Sequence, residues 1–144
     1  MSEIVNIKIA KKLKEKGFKE KCLTYYDVID NVGLLYNTQY INDLSPCQYT
    51  DLLQSHNTDV SAYLSDDSEY CVDAPTISQV LNWLRKEKKL HIMIDICFTD
   101  TTYKWGYDIV NLITTHVEGC EPLCANSFEE AALAGIEYVL DNLI

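Results

Sequence analysis

The alternation of apolar and polar positions predicts a β-hairpin in the second half of the chain. Every second residue from 92 to 98, and again from 103 to 109, is aliphatic or aromatic, which is the period of a half-buried strand. A four-residue loop at 99–102 then pairs the two sets on one face. The predicted pairs are Phe98 with Tyr103, Ile96 with Trp105, Ile94 with Tyr107 and Ile92 with Ile109. A slip of one residue would destroy all four pairs, so the pattern also predicts this register.

Helical periodicity appears in three other stretches, each with a start or stop signal. Residues 6–16 predict a helix that ends at Gly17, a typical left-handed stop, with Phe18 folding back on the last turn. A second helix begins after Thr76, and a third begins after Ser127, where Glu130 completes a capping box. The buried stripe of the second helix is predicted to be Ile77, Val80, Leu81 and Leu84. The stripe of the third is Phe128, Ala132, Ile136, Val139, Leu140 and Leu143.

These elements predict an α+β fold in two layers, with helices packed on a small antiparallel sheet. The predicted order is α-β-variable-α-β-β-α. A strand at residues 22–29, rich in β-branched and aromatic residues, is the candidate third strand of the sheet. Within the variable part, Ser45, Pro46 and Gln48 predict a short helix at 46–54.

Length and charge indicate the number of domains and exclude some classes of partner. A chain of 144 residues predicts a single domain over 1–144, with a variable acidic segment at about 34–72. The net charge is −10, and residues 22–84 contain no lysine or arginine, which argues against a nucleic-acid partner. No apolar run is long enough to span a membrane. The first residues also lack a secretory signal, so we expect a cytoplasmic protein with reduced cysteines.

One histidine and two cysteines have the most metal-like spacing in the sequence. His116, Cys120 and Cys124 recur at four-residue intervals, and zinc prefers these residue types. A structural site needs four ligands, so Cys47 or Cys71 would have to complete the set from far away. The intervening Glu118, Glu121 and Pro122 are typical of a surface loop. We therefore predict no metal and no cofactor, and keep these three residues as zinc candidates.

No catalytic motif is visible along the chain. It has no glycine-rich phosphate loop and no nucleophile elbow, so the sequence favours a non-enzymatic protein without excluding an enzyme. Tyrosines are unusually frequent in the acidic segment, and tyrosine is common at recognition surfaces. The candidate partner-binding residues are Tyr36, Tyr40, Tyr49, Tyr63 and Tyr70. The alternative is that these rings fill a small core and its loops.

Three stretches carry a resemblance to a known group of proteins. They are the lysine-rich residues 9–18, the Ala-Pro-Thr and Trp-Leu-Arg pattern within 74–87, and the Glu-Glu-Ala and Leu-Ile pattern of the last helix. Together they resemble a widespread group of small uncharacterised proteins encoded by phages and prophages of gut bacteria. The resemblance implies a setting in a bacterial host and a similar order of elements. Its motifs are structural, and none is catalytic.

The leading functional hypothesis is a phage or prophage accessory protein that binds a host protein or small molecule. The missing catalytic motifs, the tyrosine-rich acidic segment and the resemblance all favour it. One alternative is a small nucleotide-binding or hydrolytic protein that counters a host defence signal. Another is a self-assembling structural protein, or a homodimer, formed through an exposed hairpin edge at residues 103–109.

Overall fold

The computed structural model describes residues 3–22, 24–27, 34–37 and 71–144. The chain forms two compact units: one is Ile4–Thr76, and the second is Met1–Glu3 with Ile77–Ile144. The described residues form three α-helices, one π-helical turn and two antiparallel sheets, which confirms the predicted α+β class. The prediction of one domain over 1–144 stays a prediction.

The first helix, α1 (Ile7–Glu15), lies within the predicted residues 6–16, and the predicted stop at Gly17 is confirmed. The Asn6 side chain accepts a hydrogen bond from the Ile9 N–H at 3.0 Å, which caps the first turn. At the other end Gly17 has φ +86°, the left-handed conformation that suits glycine. The N–H groups of Gly17 and Phe18 donate to the carbonyls of Lys14 and Leu13, at 3.2 and 2.9 Å. This is the Schellman pattern that satisfies the last free carbonyls of a helix.

A small sheet completes the Ile4–Thr76 unit, with strand order β2-β1-β3. The strands are β1 (Thr24–Asp27), β2 (Leu34–Asn37) and β3 (Cys71–Asp73). The predicted strand at 22–29 is therefore confirmed over its middle, but its predicted place beside the hairpin is wrong. Strands β2 and β3 have four and three residues, which are too few to show an alternation of apolar and polar positions. The sequence therefore does not predict them. The predicted helix at 46–54 lies outside the described residues.

The second unit opens with α2 (Ile77–Trp83), which continues into a π-helical turn (Leu84–Lys88). Lys89 ends the turn in the left-handed conformation, with φ 57°. The predicted stripe is correct at three positions, but Leu81 is only partly buried, whereas Trp83 is 4% exposed. The Lys88 ammonium lies 5.2 Å from the centre of the Trp83 ring, a cation–π contact.

The main sheet has the strand order β4-β5-β6. Its strands are β4 (Leu90–Phe98), β5 (Tyr103–Asn111) and β6 (Val117–Ala125). All four predicted pairs between β4 and β5 are present, so the hairpin register is confirmed. The Thr99 N–H donates to the Thr102 carbonyl at 2.7 Å and closes the loop. Because β5 is central, the free edge predicted at residues 103–109 does not exist.

Strand β6 corrects a second prediction. Residues 118–122 were predicted to form a surface loop because glutamate, glycine and proline are rare in strands. They pair with β5 as an edge strand, and edge strands are where proline is tolerated. Two register shifts interrupt the pairing, between Trp105 and Tyr107 and between Ile109 and Val110. Such shifts interrupt the alternation of apolar and polar positions, so the alternation does not predict this strand.

The last helix, α3 (Phe128–Asn142), packs on the sheet. The Ser127 hydroxyl accepts from the Glu130 N–H at 3.1 Å, so the predicted cap is confirmed. The buried residues are Ala131, Ala132, Gly135, Ile136, Val139 and Leu140. Phe128 is 41% exposed and Leu143 is half-buried, so these two members of the predicted stripe are wrong. Among the described residues, no helix has the length and apolar character that a membrane crossing requires.

Candidate functional site

One of the five predicted partner-binding tyrosines lies among the described residues. Tyr36 lies on β2, directly opposite Tyr25 of β1. Tyr40, Tyr49, Tyr63 and Tyr70 lie outside the described residues. Their role in partner binding stays a prediction.

Strand β6 spreads the predicted zinc candidates along its length. His116 directly precedes the strand, and Cys120 and Cys124 lie within it. An extended strand rises about 3.3 Å per residue, so positions four apart are separated by about 13 Å. Cys124 is free and exposed. In the described part of the chain, no three histidine, cysteine or acidic residues meet in a way that could hold a metal ion.

A group of apolar side chains lies exposed at the closed end of the hairpin. We call Ile96, Phe98, Tyr103, Trp105 and Phe128 the hairpin-tip patch. Four of them are markedly exposed, at 38% for Ile96, 74% for Phe98, 50% for Tyr103 and 41% for Phe128, and Trp105 is partly buried. Ile96 pairs with Trp105 and Phe98 with Tyr103, so these four side chains share one face of the sheet.

The patch is bare because α3 covers only the other half of this face. The helix begins at Phe128, whose ring packs edge-on against Trp105 at 5.9 Å. Seven residues later Gly135 lies over Ile92 and Tyr107, where an added Cβ would stand 2.9 Å from Ile92 Cγ2. The helix therefore runs from the middle of the hairpin towards its open end. Its first residue reaches the Ile96–Trp105 pair, and the Phe98–Tyr103 pair lies beyond it.

The aromatic rings of the patch pack against one another in pairs. Phe98 and Tyr103 pack at 6.1 Å between centroids with their planes tilted by 60°, and Trp105 and Phe128 pack nearly perpendicular at 88°. Both arrangements suit the charge distribution of aromatic rings. A patch ordered before binding loses little side-chain entropy when a partner covers it.

Polar contacts anchor the segment that leads into α3. The Lys104 ammonium donates to Asn126 Oδ1. The Asn126 N–H donates in turn to the Glu130 carboxylate at 2.8 Å. Lys104 lies opposite Cys97, on the face of the sheet away from the patch. These contacts therefore fix the start of α3, and with it Phe128, and are not part of the patch.

A cleft in the Ile4–Thr76 unit offers no comparable site. It is lined by Ala10, Lys14, Phe18, Val72 and Asp73, and its volume is about 10 Å³. That volume holds about one water molecule. This cleft is thus too small for a nucleotide.

The alternating pattern predicts burial along the whole hairpin face and so does not reveal the patch. The lengths of the two elements do indicate it. A strand of nine residues spans about 30 Å, whereas a helix of 15 residues spans about 22 Å. One helix of this length leaves part of such a hairpin uncovered.

No protein-family model matches the chain, and no curated protein or solved structure matches it. The function of the hairpin-tip patch must therefore be inferred from the residues that form it.

Proposed function

We propose that this chain is a non-enzymatic binding protein that docks a partner protein through the hairpin-tip patch. The observation that carries the proposal is the shared exposure of Phe98, Tyr103 and Phe128, at 74%, 50% and 41%. Single exposed apolar residues are ordinary on a protein surface. A contiguous group of large ones marks an interaction site, and aromatic residues are the strongest anchors.

The biological setting we propose is that of a phage or prophage accessory protein acting in the cytoplasm of a bacterial host. The resemblance in residues 9–18, 74–87 and the last helix supports this setting. A host protein is the partner that fits both the setting and the apolar, ordered patch. The tyrosines of the acidic segment remain a proposed second part of the contact.

The decisive experiment compares a double variant of the patch with a matched control. Tyr103→Ser with Phe128→Ser removes two anchors that lie away from the sheet edge. Leu112→Ser with Ile113→Ser removes two large apolar side chains that are also exposed, at 44% and 76%, in the turn between β5 and β6. Both variants are first checked for unchanged circular dichroism, so that any loss of binding reports on the surface.

Each protein is then used to capture partners from host lysate, and the captured protein is purified for titration. We expect the wild type and the control to bind it alike. The patch variant is expected to bind at least tenfold more weakly, because buried aromatic anchors each contribute about 2 kcal/mol or more. Equal binding by all three proteins, or capture of no protein by the wild type, would contradict the proposal.

A further inference from the structure

Among the described residues β4 is an edge strand, with β5 on one side. We infer that its other edge pairs with β4 of a second copy of this chain, antiparallel and around a twofold axis at Ile94. The result is a continuous six-stranded sheet. This inference concerns self-association and does not depend on the proposed function. Its evidence is the chemistry of the two edges of the main sheet.

The two edge strands differ in their protection against pairing. Strand β6 contains Pro122, Glu118 and Glu121, and its pairing has two register shifts. Proline, charge and bulges are the devices that keep an edge from pairing with another strand. Strand β4 has nine residues, an unbroken register with β5 and a single charge, Asp95. An edge this long and apolar is a template for another strand.

The hydrogen bonds at the two ends of the hairpin show which backbone groups of β4 point outward. The Thr99 N–H donates to the Thr102 carbonyl at 2.7 Å, and the Leu112 N–H donates to the Lys89 carbonyl at 2.8 Å. In an antiparallel pair, residues with backbone hydrogen bonds to the partner strand alternate with residues whose backbone groups point away from it. The backbone N–H and C=O groups of odd-numbered β4 residues therefore bond to β5. The outward N–H and C=O groups therefore belong to Leu90, Ile92, Ile94, Ile96 and Phe98.

An axis at Ile94 uses all of these groups and matches the side chains. On the helix-covered face, Phe98 lies opposite Leu90 of the second copy, and Ile96 lies opposite Ile92. Phe98 and Ile96 are exposed, whereas Leu90 and Ile92 are each 5% exposed within their own protomer. The exposed residues of β4 in one copy thus lie beside the buried residues of β4 in the other. This contact removes exposed apolar surface from water, which favours the pairing.

The opposite face is also self-complementary. There Met93 lies opposite Asp95 of the second copy, and His91 lies opposite Cys97. No like charges oppose one another in this register, and like charges directly opposite are destabilising. An axis at Asp95 would instead set the two carboxylates against each other.

Charge at the two ends of β4 favours the antiparallel arrangement. The exposed segment before the strand is basic overall, and an exposed acid follows the strand in the hairpin loop. The segment holds the cations Arg85, Lys86, Lys88 and Lys89 and one acid, Glu87, and the acid of the loop is Asp100. Antiparallel pairing brings the basic end of each copy beside the acidic loop of the other. This complementarity selects a second copy of the chain over a strand without matching charges.

The pairing leaves part of the hairpin-tip patch free. Tyr103 and Trp105 lie on β5, and Phe128 lies on α3, so none of them lies on the paired strand. The two tips come to opposite ends of the joined sheet. The dimer would therefore present two copies of the binding surface, which raises avidity for a partner with repeated sites.

A cross-linking experiment on the full chain tests the register. His91→Cys places a new thiol opposite the native, exposed Cys97 of the second copy. The two form a pair without mutual hydrogen bonds, about 4.5 Å between Cα atoms, which suits a disulfide. Within one chain they are about 20 Å apart and cannot bond. Met93→Cys is the matched control, because position 93 lies opposite Asp95 instead.

We expect mild oxidation to give a covalent dimer of the His91→Cys variant, with the Met93→Cys variant and the wild type staying largely uncrosslinked. Equal cross-linking of both variants would overturn the register. Sedimentation of the wild type under reducing conditions is expected to show a dimer. A monomer up to several hundred micromolar, or a monomer that binds only a strand of another protein, would overturn the inference.

Charge substitutions at one exposed position give an independent test. Met93→Asp sets two aspartates against Asp95 across the axis, and we expect it to weaken the dimer about tenfold. Met93→Lys sets two lysines there instead, and is expected to keep or strengthen the dimer. Equal dissociation constants for the two variants would contradict the pairing.

Discussion

Phe98 and Tyr103 face one another across the last pair of the hairpin, with their ring centroids 6.1 Å apart, yet the two side chains are 74% and 50% exposed. Their partners further down the same face, Ile92 and Ile109, are 5% and 0% exposed. The apolar face of the hairpin thus has two parts. Near the open end of the hairpin it forms part of the core, and near the closed end it is exposed.

The exposed end of the hairpin is expected to add little to stability. Phe98→Ala should lower the free energy of unfolding by about 1 kcal/mol or less, because it removes one cross-strand aromatic contact. Ile109→Ala, at a fully buried position on the same face, should cost about 3 kcal/mol through lost burial and a cavity. Urea denaturation of both variants measures the difference. The comparison is made at concentrations that keep the chain monomeric, and similar losses there would mean that Phe98 is packed within its own chain.

The contact of α3 with the sheet depends on the missing side chain of Gly135. Alanine normally stabilises a helix by about 1 kcal/mol relative to glycine. At this position its Cβ would lie 2.9 Å from Ile92 Cγ2 and 3.2 Å from Tyr107 Cγ, so the helix or these side chains must shift. We expect Gly135→Ala to lower the free energy of unfolding by about 1 kcal/mol net, since overpacking costs more than propensity returns.

Ala134 provides the matched control for that substitution. It is exposed on the same turn of α3. Ala134→Gly tests propensity alone and should cost about 1 kcal/mol. A more stable Gly135→Ala variant in the same thermal melts would show that the helix and sheet tolerate a wider spacing.

The end of α1 depends on the left-handed conformation of Gly17. Its φ is +86°, and an added Cβ would meet nothing within 4 Å. Gly17→Ala is therefore expected to cost about 1 kcal/mol from backbone strain alone. Gly17→Asn should cost less, because asparagine tolerates this conformation better. Equal effects of alanine and asparagine in chemical denaturation would argue against strain as the cause.

The Tyr26 hydroxyl gives the fold a dependence on alkaline pH. It donates to the Val5 carbonyl at 2.8 Å, and burial raises the pKa of Tyr26 above its usual value. The folded state then holds the proton more tightly than the unfolded chain. The contribution of Tyr26 to stability is fully present below about pH 10 and is lost as the pH rises through the folded pKa.

The measurement is a series of thermal melts between about pH 9 and pH 11.5. Tyr26→Phe is expected to lower stability by about 1 kcal/mol at neutral pH through the lost hydrogen bond. It should also flatten the alkaline decline. An unchanged decline in this variant would assign the effect to another group.

Local signals in the sequence were enough for several elements of this protein. The hairpin register follows from alternation over nine-residue strands, because a slip moves every side chain to the other face. The cap at Ser127 and the stop at Gly17 follow from backbone groups within a few residues. Such features are decided by near neighbours, and near neighbours are visible in a sequence.

Only the tertiary structure decided which strands meet and which faces stay bare. Residues 117–125 form a strand because β5 offers them an edge, despite a composition typical of a loop. Strand β1 joins β2 and β3 instead of the hairpin, and Trp83 is more deeply buried than Leu81. Sheet partners and burial depend on residues far away in the chain, and the exposed end of the hairpin depends on where α3 begins. A pattern of apolar positions predicts that one face of a strand can be buried. Only the tertiary structure shows how much of that face another element buries.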